Sequence, residues 1–398
     1  MATNNTNEQN LDSDFSLVQG GPLFQLFVRS HLSTSALGCL KPRIIFFILI
    51  TWLPLLLLTL VSGQALGSSV QIPFLHDLEV HVRCLLSLPL MLLTEWVVHQ
   101  RLRPLIGQFV ERDIVEPKNR LAFDTCIADA LRLRNSVVIE IVLIGFVYTL
   151  GHSIYFDMNI LKVSTWYATG TTSAIILSPA GYWLGYITLP VYQFLLLRWV
   201  FRIGIWGLFL WRLSHLDLNL VPTHPDHAAG LGFLEQSVSA FATLLFSQGA
   251  LLSGMIAERI IFQGEVLTSF KAEVAVLTIF FLLLVFGPLT VFAPQLAAAK
   301  RKGLLDYGAL ASRYVRDFDK KWRLGEGDPQ EMLLGSADIQ SLADLNNSVE
   351  VIRSMQVFPF NKLTVIQTVL AVLLPLLPLV LTMIPLEDLV QRLIGVLL

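Results

Sequence analysis

The chain has 398 residues, of which 54% are hydrophobic and 15% charged, against roughly 25% charged in an ordinary soluble domain. Its formal net charge is −2, and basic residues are interleaved with acidic ones where they cluster, so no nucleic-acid partner is indicated. Cys39, Cys84 and Cys126 are far apart with no CxxC pair, a spacing that suggests neither a disulfide framework nor a thiolate metal site.

The N-terminus, "MATNNTNEQNLDSDFSLVQGG", is polar, acidic and rich in Asn. It lacks the basic and apolar regions of a cleaved signal, and residues 1–40 read as a disordered cytoplasmic tail. Residues 41–299 then read as a membrane domain. A bilayer core about 30 Å thick needs about 20 apolar helical residues, because every backbone polar group must be satisfied within the segment. Seven stretches qualify. Ile44 to Val61, Gln236 to Ala257, Val274 to Ala299 and Leu363 to Pro385 contain no Asp, Glu, Lys or Arg. Ser136 to Phe156 carries only Glu140 and His152, and Ile175 to Leu197 is uncharged but broken by Pro179 and Pro190. In His81 to Val98, Arg83 and Glu95 bracket an apolar run too short to cross alone, so its ends must snorkel or be sheltered. The fold class is therefore all-α: a polytopic integral membrane protein with about seven transmembrane helices.

Basic loops are retained on the cytoplasmic side. With the N-terminus inside, 23 Lys and Arg residues fall in the cytoplasm and only 5 outside. The expected setting is a bacterial inner (plasma) membrane. Two segments then form a cytoplasmic helical layer. Within residues 99–134, Ile127, Leu131 and Leu133 lie among charges, as in an amphipathic helix on the headgroups. Within residues 300–362, Leu310, Tyr314, Phe318 and Trp322 recur every four residues, and Ile339, Leu342, Leu345 and Val349 follow the turn-like "GEGDP". These spacings predict a helical hairpin with Ser336 as an N-cap. Residues 363–398 supply a seventh span and a short amphipathic C-terminal helix, since the residues from Leu386 onward are too few to cross. No internal repeat is visible.

Two constellations stand out. The first is "THPDH", Thr223 to His227. His224, Asp226 and His227 are ligand types for Zn or Fe, but Pro225 disturbs helical spacing and no HExxH completes the set, so no metal or cofactor is assigned. The pattern T-x-x-D fits a capping box better, with an early Pro and small residues following to enter a helix. Histidine's titration near neutral pH leaves a second role open. The second constellation is charge inside apolar spans, where each ionisable side chain costs at least about 2.5 kcal/mol on insertion scales. Glu95, Glu140, Arg198, Arg202 and Glu235 all fall near the cytoplasmic ends of their spans. Either each snorkels into headgroups, or together they line a polar cavity open to the cytoplasm. Pro190, Gly287, Pro288, Pro294, Pro375 and Pro378 add broken helices, which bind ions where they line a cavity.

No GxSxG, P-loop, GxGxxG or HExxH signature is present. The sequence therefore reads as a channel or transporter rather than an enzyme, with a small ion or polar solute and the lipid bilayer as its partners. Homo-oligomers are the general expectation where subunits associate. The alternatives are a membrane-embedded enzyme acting on a lipid or amphiphile through His224, Asp226, His227 and Glu235, and a sensor or scaffold whose cytoplasmic layer docks a partner. For the latter, "DIQSLADLNN" would be the docking surface rather than a solvated helix face.

Overall fold

A computed structural model describes residues 15–30, 39–67, 70–151, 165–171, 174–325 and 336–383, and the chain is almost wholly helical there. In chain order the helices begin with α1 (Pro22–Arg29), α2 (Leu40–Val61), α3 (Leu78–Glu111), α4 (Arg120–Arg134) and α5 (Val137–Thr149). A small hairpin, β1 (Ala168–Thr171) antiparallel to β2 (Ala174–Leu177), precedes α6 (Pro179–Leu213). Then come α7 (Gly232–Gln263) and α8 (Leu267–Thr290), α9 (Ala293–Phe318), α10 (Ala337–Ser354) and α11 (Lys362–Val380).

Six helices, α2, α3, α6, α7, α8 and α11, are long and apolar enough to cross a membrane. They divide by burial. In α7, 61% of the apolar window is inside the protein, and in α3 and α6 half is, whereas only 22% is buried in α2 and α8. Thus α3, α6 and α7 form an inner bundle. Leu57 and Leu60 of α2, Val276 and Leu283 of α8, and Leu363 and Ile366 of α11 turn outward, an apolar surface that suits hydrocarbon rather than water. Close approach replaces hydrophobic drive inside such a bundle. Gly249 of α7 shows why: a Cβ there would overlap the Val372 carbonyl of α11.

Several sequence expectations shift. The short second span is part of one continuous helix, α3, that runs from Leu78 to Glu111 through Glu95 and His99; neighbouring helices shelter its charges. Of the third span, α5 is described only to Thr149, and residues 152–164 lie outside the described residues. The fourth begins at Pro179, because Ala174–Leu177 pairs as a strand. The sixth ends at Thr290, and Pro294 occupies the first turn of α9 instead of kinking a longer span, as proline's missing N–H permits. The hairpin therefore starts at Ala293 rather than Lys300.

The hairpin itself is α9 packed on α10. Ser336 caps α10 by accepting from Asp338 N, and Asp338 gathers Lys321 Nζ at 2.8 Å, Trp322 Nε1 at 3.0 Å and, on its carbonyl, Tyr314 OH at 3.1 Å. Hydrogen bonds from Lys321 and Trp322 hold this carboxyl below the usual range. On the membrane-domain side, α4 lays Phe123, Ile127 and Ala130 into the core against α6, the packed face of an amphipathic helix. The tail reading of residues 1–40 fails over Phe15–Arg29: Phe15, Leu17 and Val18 are buried in the main core and α1 follows them. Residues 1–14 and 31–38, and the C-terminal helix expected after Leu386, lie outside the described residues.

Candidate functional site

Along α3, Glu79, Arg83, Ser87, Met91, Glu95 and His99 recur every fourth residue, and from Arg83 onward every one is buried. Four residues overshoot a 3.6-residue turn by about 40°. A strict stripe would therefore drift around a regular α-helix, but Val82–Ser87 is a wider π-helical turn, which rotates the stripe back. Such turns are rare and frequently mark functional sites.

At its N-terminal end the stripe is acidic. Asp77 caps α3, its Oδ1 accepting from Val80 N at 2.8 Å, while Oδ2 accepts from Trp166 Nε1 at 2.8 Å. Glu79 pairs with Arg83, and Glu258 of α7 accepts from Glu79 N. Three carboxyl groups thus lie around the start of α3, and one of them, Glu79, holds the Arg83 guanidinium. Arg83 also lies over the Tyr192 ring of α6, 5.6 Å from its centroid. From there hydroxyls continue the path: Tyr192 OH to Ser87 Oγ at 2.7 Å, Ser87 Oγ to Ser247 Oγ at 2.9 Å, and Tyr192 OH donating to Gln248 Oε1 at 3.2 Å. In the next turn the path is interrupted by Met91, whose carbonyl accepts from Trp199 Nε1 at 3.1 Å.

The other end is basic. Glu95, buried on α3, meets Arg202 at 2.7 Å, Arg43 at 2.8 Å and Arg198 at 3.6 Å. Arg198 also reaches Glu140 of α5 at 3.3 Å. Three guanidinium groups therefore face two carboxylates, all at most 7% exposed. Four helices, α2, α3, α5 and α6, contribute. Removing one partner of such a group typically costs about 3–5 kcal/mol by stranding the others.

A strap made of Phe15–Gly21 closes this end. Phe15 packs on Trp206 and Phe209, a burial that contributes about 1.5–3 kcal/mol. Ser16 Oγ accepts from Val18 N and Gln19 N, so its hydroxyl proton is free to donate to His99 Nδ1 at 3.0 Å. Arg134 donates to the Ser16 carbonyl, Gly21 N to Asn135 Oδ1 at 3.0 Å, and Leu23 N to Glu140 Oε2 at 3.0 Å. Gly20 and Gly21 have φ of 143° and 84°. A Cβ on Gly20 would overlap Asn135 and Arg134, and one on Gly21 would come within 2.9 Å of Glu140 Oε1. The pair is glycine because the backbone passes directly over the charges.

Of the residues singled out from sequence, Glu95, Glu140, Arg198 and Arg202 are brought together. Glu235 is not: it accepts from Thr364 of α11, apart from the cluster. The cluster is covered by the strap, so the expected cavity open to the cytoplasm is closed here. Arg43, Glu79, Arg83 and Glu258 were missed because each sits at the margin of an apolar run and reads as a flanking charge. The four-residue spacing from Glu79 to His99 was the signal that could have found two of them.

Thr223 to His227 forms neither a capping box nor a helix. Helix α7 begins only at Gly232, and His227, Ala229 and Gly230 take positive φ values. Asp226 organises this turn: Oδ1 accepts from Ala228 N at 2.9 Å and Gly230 N at 3.1 Å, Oδ2 from Gly232 N at 2.8 Å. Burial would raise its pKa, but these three backbone donors and His224, 2.9 Å away, hold it below the usual range. The turn docks the hairpin. His227 O accepts from Gln356 N at 2.7 Å, and its Nδ1 meets Ser354 Oγ at 3.0 Å. Among the described residues no three His, Cys, Asp or Glu side chains gather as metal ligands.

Compared with protein-family models, curated proteins and solved structures, the chain matches none.

Proposed function

We propose that this protein is a channel or transporter that moves a small ion or polar solute across a bacterial plasma membrane. The observation that carries the reading is the buried polar column on α3, acidic at one end, hydroxyl-lined in the middle and basic at the other. Charged and hydrogen-bonding groups are expensive inside a membrane and are retained mainly where they serve a pathway. Two closures support a gated conduit: Met91 with Trp199 in the middle, and the strap at the basic end. In this reading α5 belongs to a further crossing, giving seven, with the N-terminus and the α9–α10 hairpin cytoplasmic. The basic-residue asymmetry supports that orientation. The interfacial-enzyme reading has less support, because Asp226 spends both oxygens on its own backbone.

The test is flux into proteoliposomes. Ser87→Ala with Ser247→Ala nearly keeps side-chain volume and removes the hydroxyl bridge. Solute uptake should fall at least about tenfold with thermal stability nearly kept, a barrier change of roughly 1.4 kcal/mol. Undiminished uptake in a folded double variant would remove the column as the path.

A further inference from the structure

The basic end of the column carries one positive charge more than its carboxylates can neutralise. Arg43 is the clearest sign. It is fully buried, and although its Nη1 lies 2.8 Å from Glu95 the contact lacks hydrogen-bond alignment, while Nε and Nη2 make no hydrogen bond among the described residues. Its guanidinium also lies over the Phe27 ring, 5.8 Å from the centroid. Arg134 adds a fourth guanidinium at the rim, pushed down to about 10 by burial and by the charge of Arg202. What faces these groups is the strap: the Ser16 carbonyl accepts from Arg134 and the Gly20 carbonyl from Arg198, the latter at a long 3.5 Å. Carbonyl oxygens satisfy donors but leave the charge unbalanced.

We infer that Arg43, Arg134, Arg198 and Arg202 form a binding site for a small oxyanion, and that Phe15–Gly21 is a displaceable lid whose carbonyl oxygens hold the anion's places when the site is empty. Guanidinium forks match the oxygens of carboxylate, sulfate or phosphate. Glu95 and Glu140 hold the arginines in position and keep the empty site from carrying a larger charge. Opening the lid exchanges its backbone ties to the charged groups for ties to water, and the anion's bonds to the arginines must offset the exposure of Phe15, Leu17 and Val18. This deepens the conduit reading by naming the solute's class, and it rests on that reading only for the anion's onward movement, not for its binding.

Sulfate is the probe, added to purified full-length protein in detergent at constant ionic strength with chloride as the control. Thermal stability reads binding, and amide hydrogen exchange over residues 15–21 reads the lid. Sulfate should raise the melting temperature and speed exchange in the strap; chloride should do neither to the same extent. Gly20→Val, which drives the strap off Asn135 and Arg134, should bind sulfate about tenfold more tightly, because closure no longer competes. Arg43→Gln should abolish the response, and Arg43→Lys, which keeps charge but loses the fork, should weaken it while folding normally. Strap exchange that is already fast in Gly20→Val with no sulfate response in either protein would overturn the site. Equal responses to sulfate and chloride would overturn it too. Strap release by phosphatidate-doped micelles with sulfate silent would assign the oxyanion to a lipid headgroup and refute a soluble ligand. Sulfate binding without sulfate uptake in proteoliposomes leaves the site and removes the conduit, whereas cation uptake without sulfate binding does the reverse.

Discussion

Glu95 and Asp226 are both satisfied carboxylates, but their partners lie at very different distances along the chain. Glu95 meets Arg43, Arg198 and Arg202 from other helices. Asp226 bonds N–H groups no more than six residues away. A locally satisfied carboxylate fixes the shape of one turn, whereas one satisfied from across the bundle ties separate helices together and neutralises several charges at once. The same functional group therefore carries a global consequence in one place and a local one in the other.

Glu95→Gln should show this most strongly. It removes the shared partner of three buried guanidinium groups, and the cost should be about 3–5 kcal/mol or failure to fold, read by chemical unfolding in detergent. A loss under about 1 kcal/mol would mean that the arginines find other partners and that the comparison is false. Next in size is the pair Glu140 and Arg198, 3.3 Å apart. The double Gln variant should be destabilised by less than the sum of the two single ones, with a coupling of about 0.5–3 kcal/mol in a double-mutant cycle. Strict additivity would separate α5 from the cluster.

How much of this could be read from the sequence follows from the same contrast. The spans were legible because a membrane crossing demands a long apolar run, and charges such as Glu140 and Arg198 stand out against it. Arg43 was not legible: it opens the apolar run Ile44 to Val61, and a basic residue there ordinarily snorkels to headgroups. Only the fold shows that α2 turns it inward. The strap was invisible for another reason, since Phe15–Gly21 is short, mixed in polarity and without a period. The turn at Asp226 was misread because T-x-x-D followed by small residues satisfies a helix cap equally well. Positive φ at His227 and Ala229 decides against it, and residue type rarely announces a non-glycine left-handed conformation.

The turn offers the next smaller effect. Asp226→Asn keeps the shape but weakens acceptance from three N–H groups, at a cost of about 1–3 kcal/mol. The pH dependence has a definite sign. Because the folded pKa lies below the unfolded one, this contribution is fully present above the unfolded value, near 3.9, and is lost as pH falls through the folded value. Wild type and Asp226→Asn should therefore converge in stability as pH falls through the folded value, once Asp226 is protonated in both states. A gap that stays constant through that range would mean that the carboxylate's charge contributes nothing to the turn.

The smallest effect should come from Thr223→Ala. In a capping box Thr223 would accept from the backbone of the first helical turn, and its loss would cost about 1 kcal/mol. Here the helix starts at Gly232, nine residues later, and the donors of the intervening turn are taken by Asp226. Thr223 has no helix end to cap, so the substitution should change stability by less than about 0.5 kcal/mol, as at ordinary surface positions. His224→Ala should cost slightly more, since His224 Nδ1 lies 2.9 Å from Asp226 Oδ1 and hydrogen-bonds to that carboxylate. A full cap-sized loss in Thr223→Ala, with His224→Ala silent, would restore the helix-capping account and undo the contrast between this turn and the cluster at Glu95.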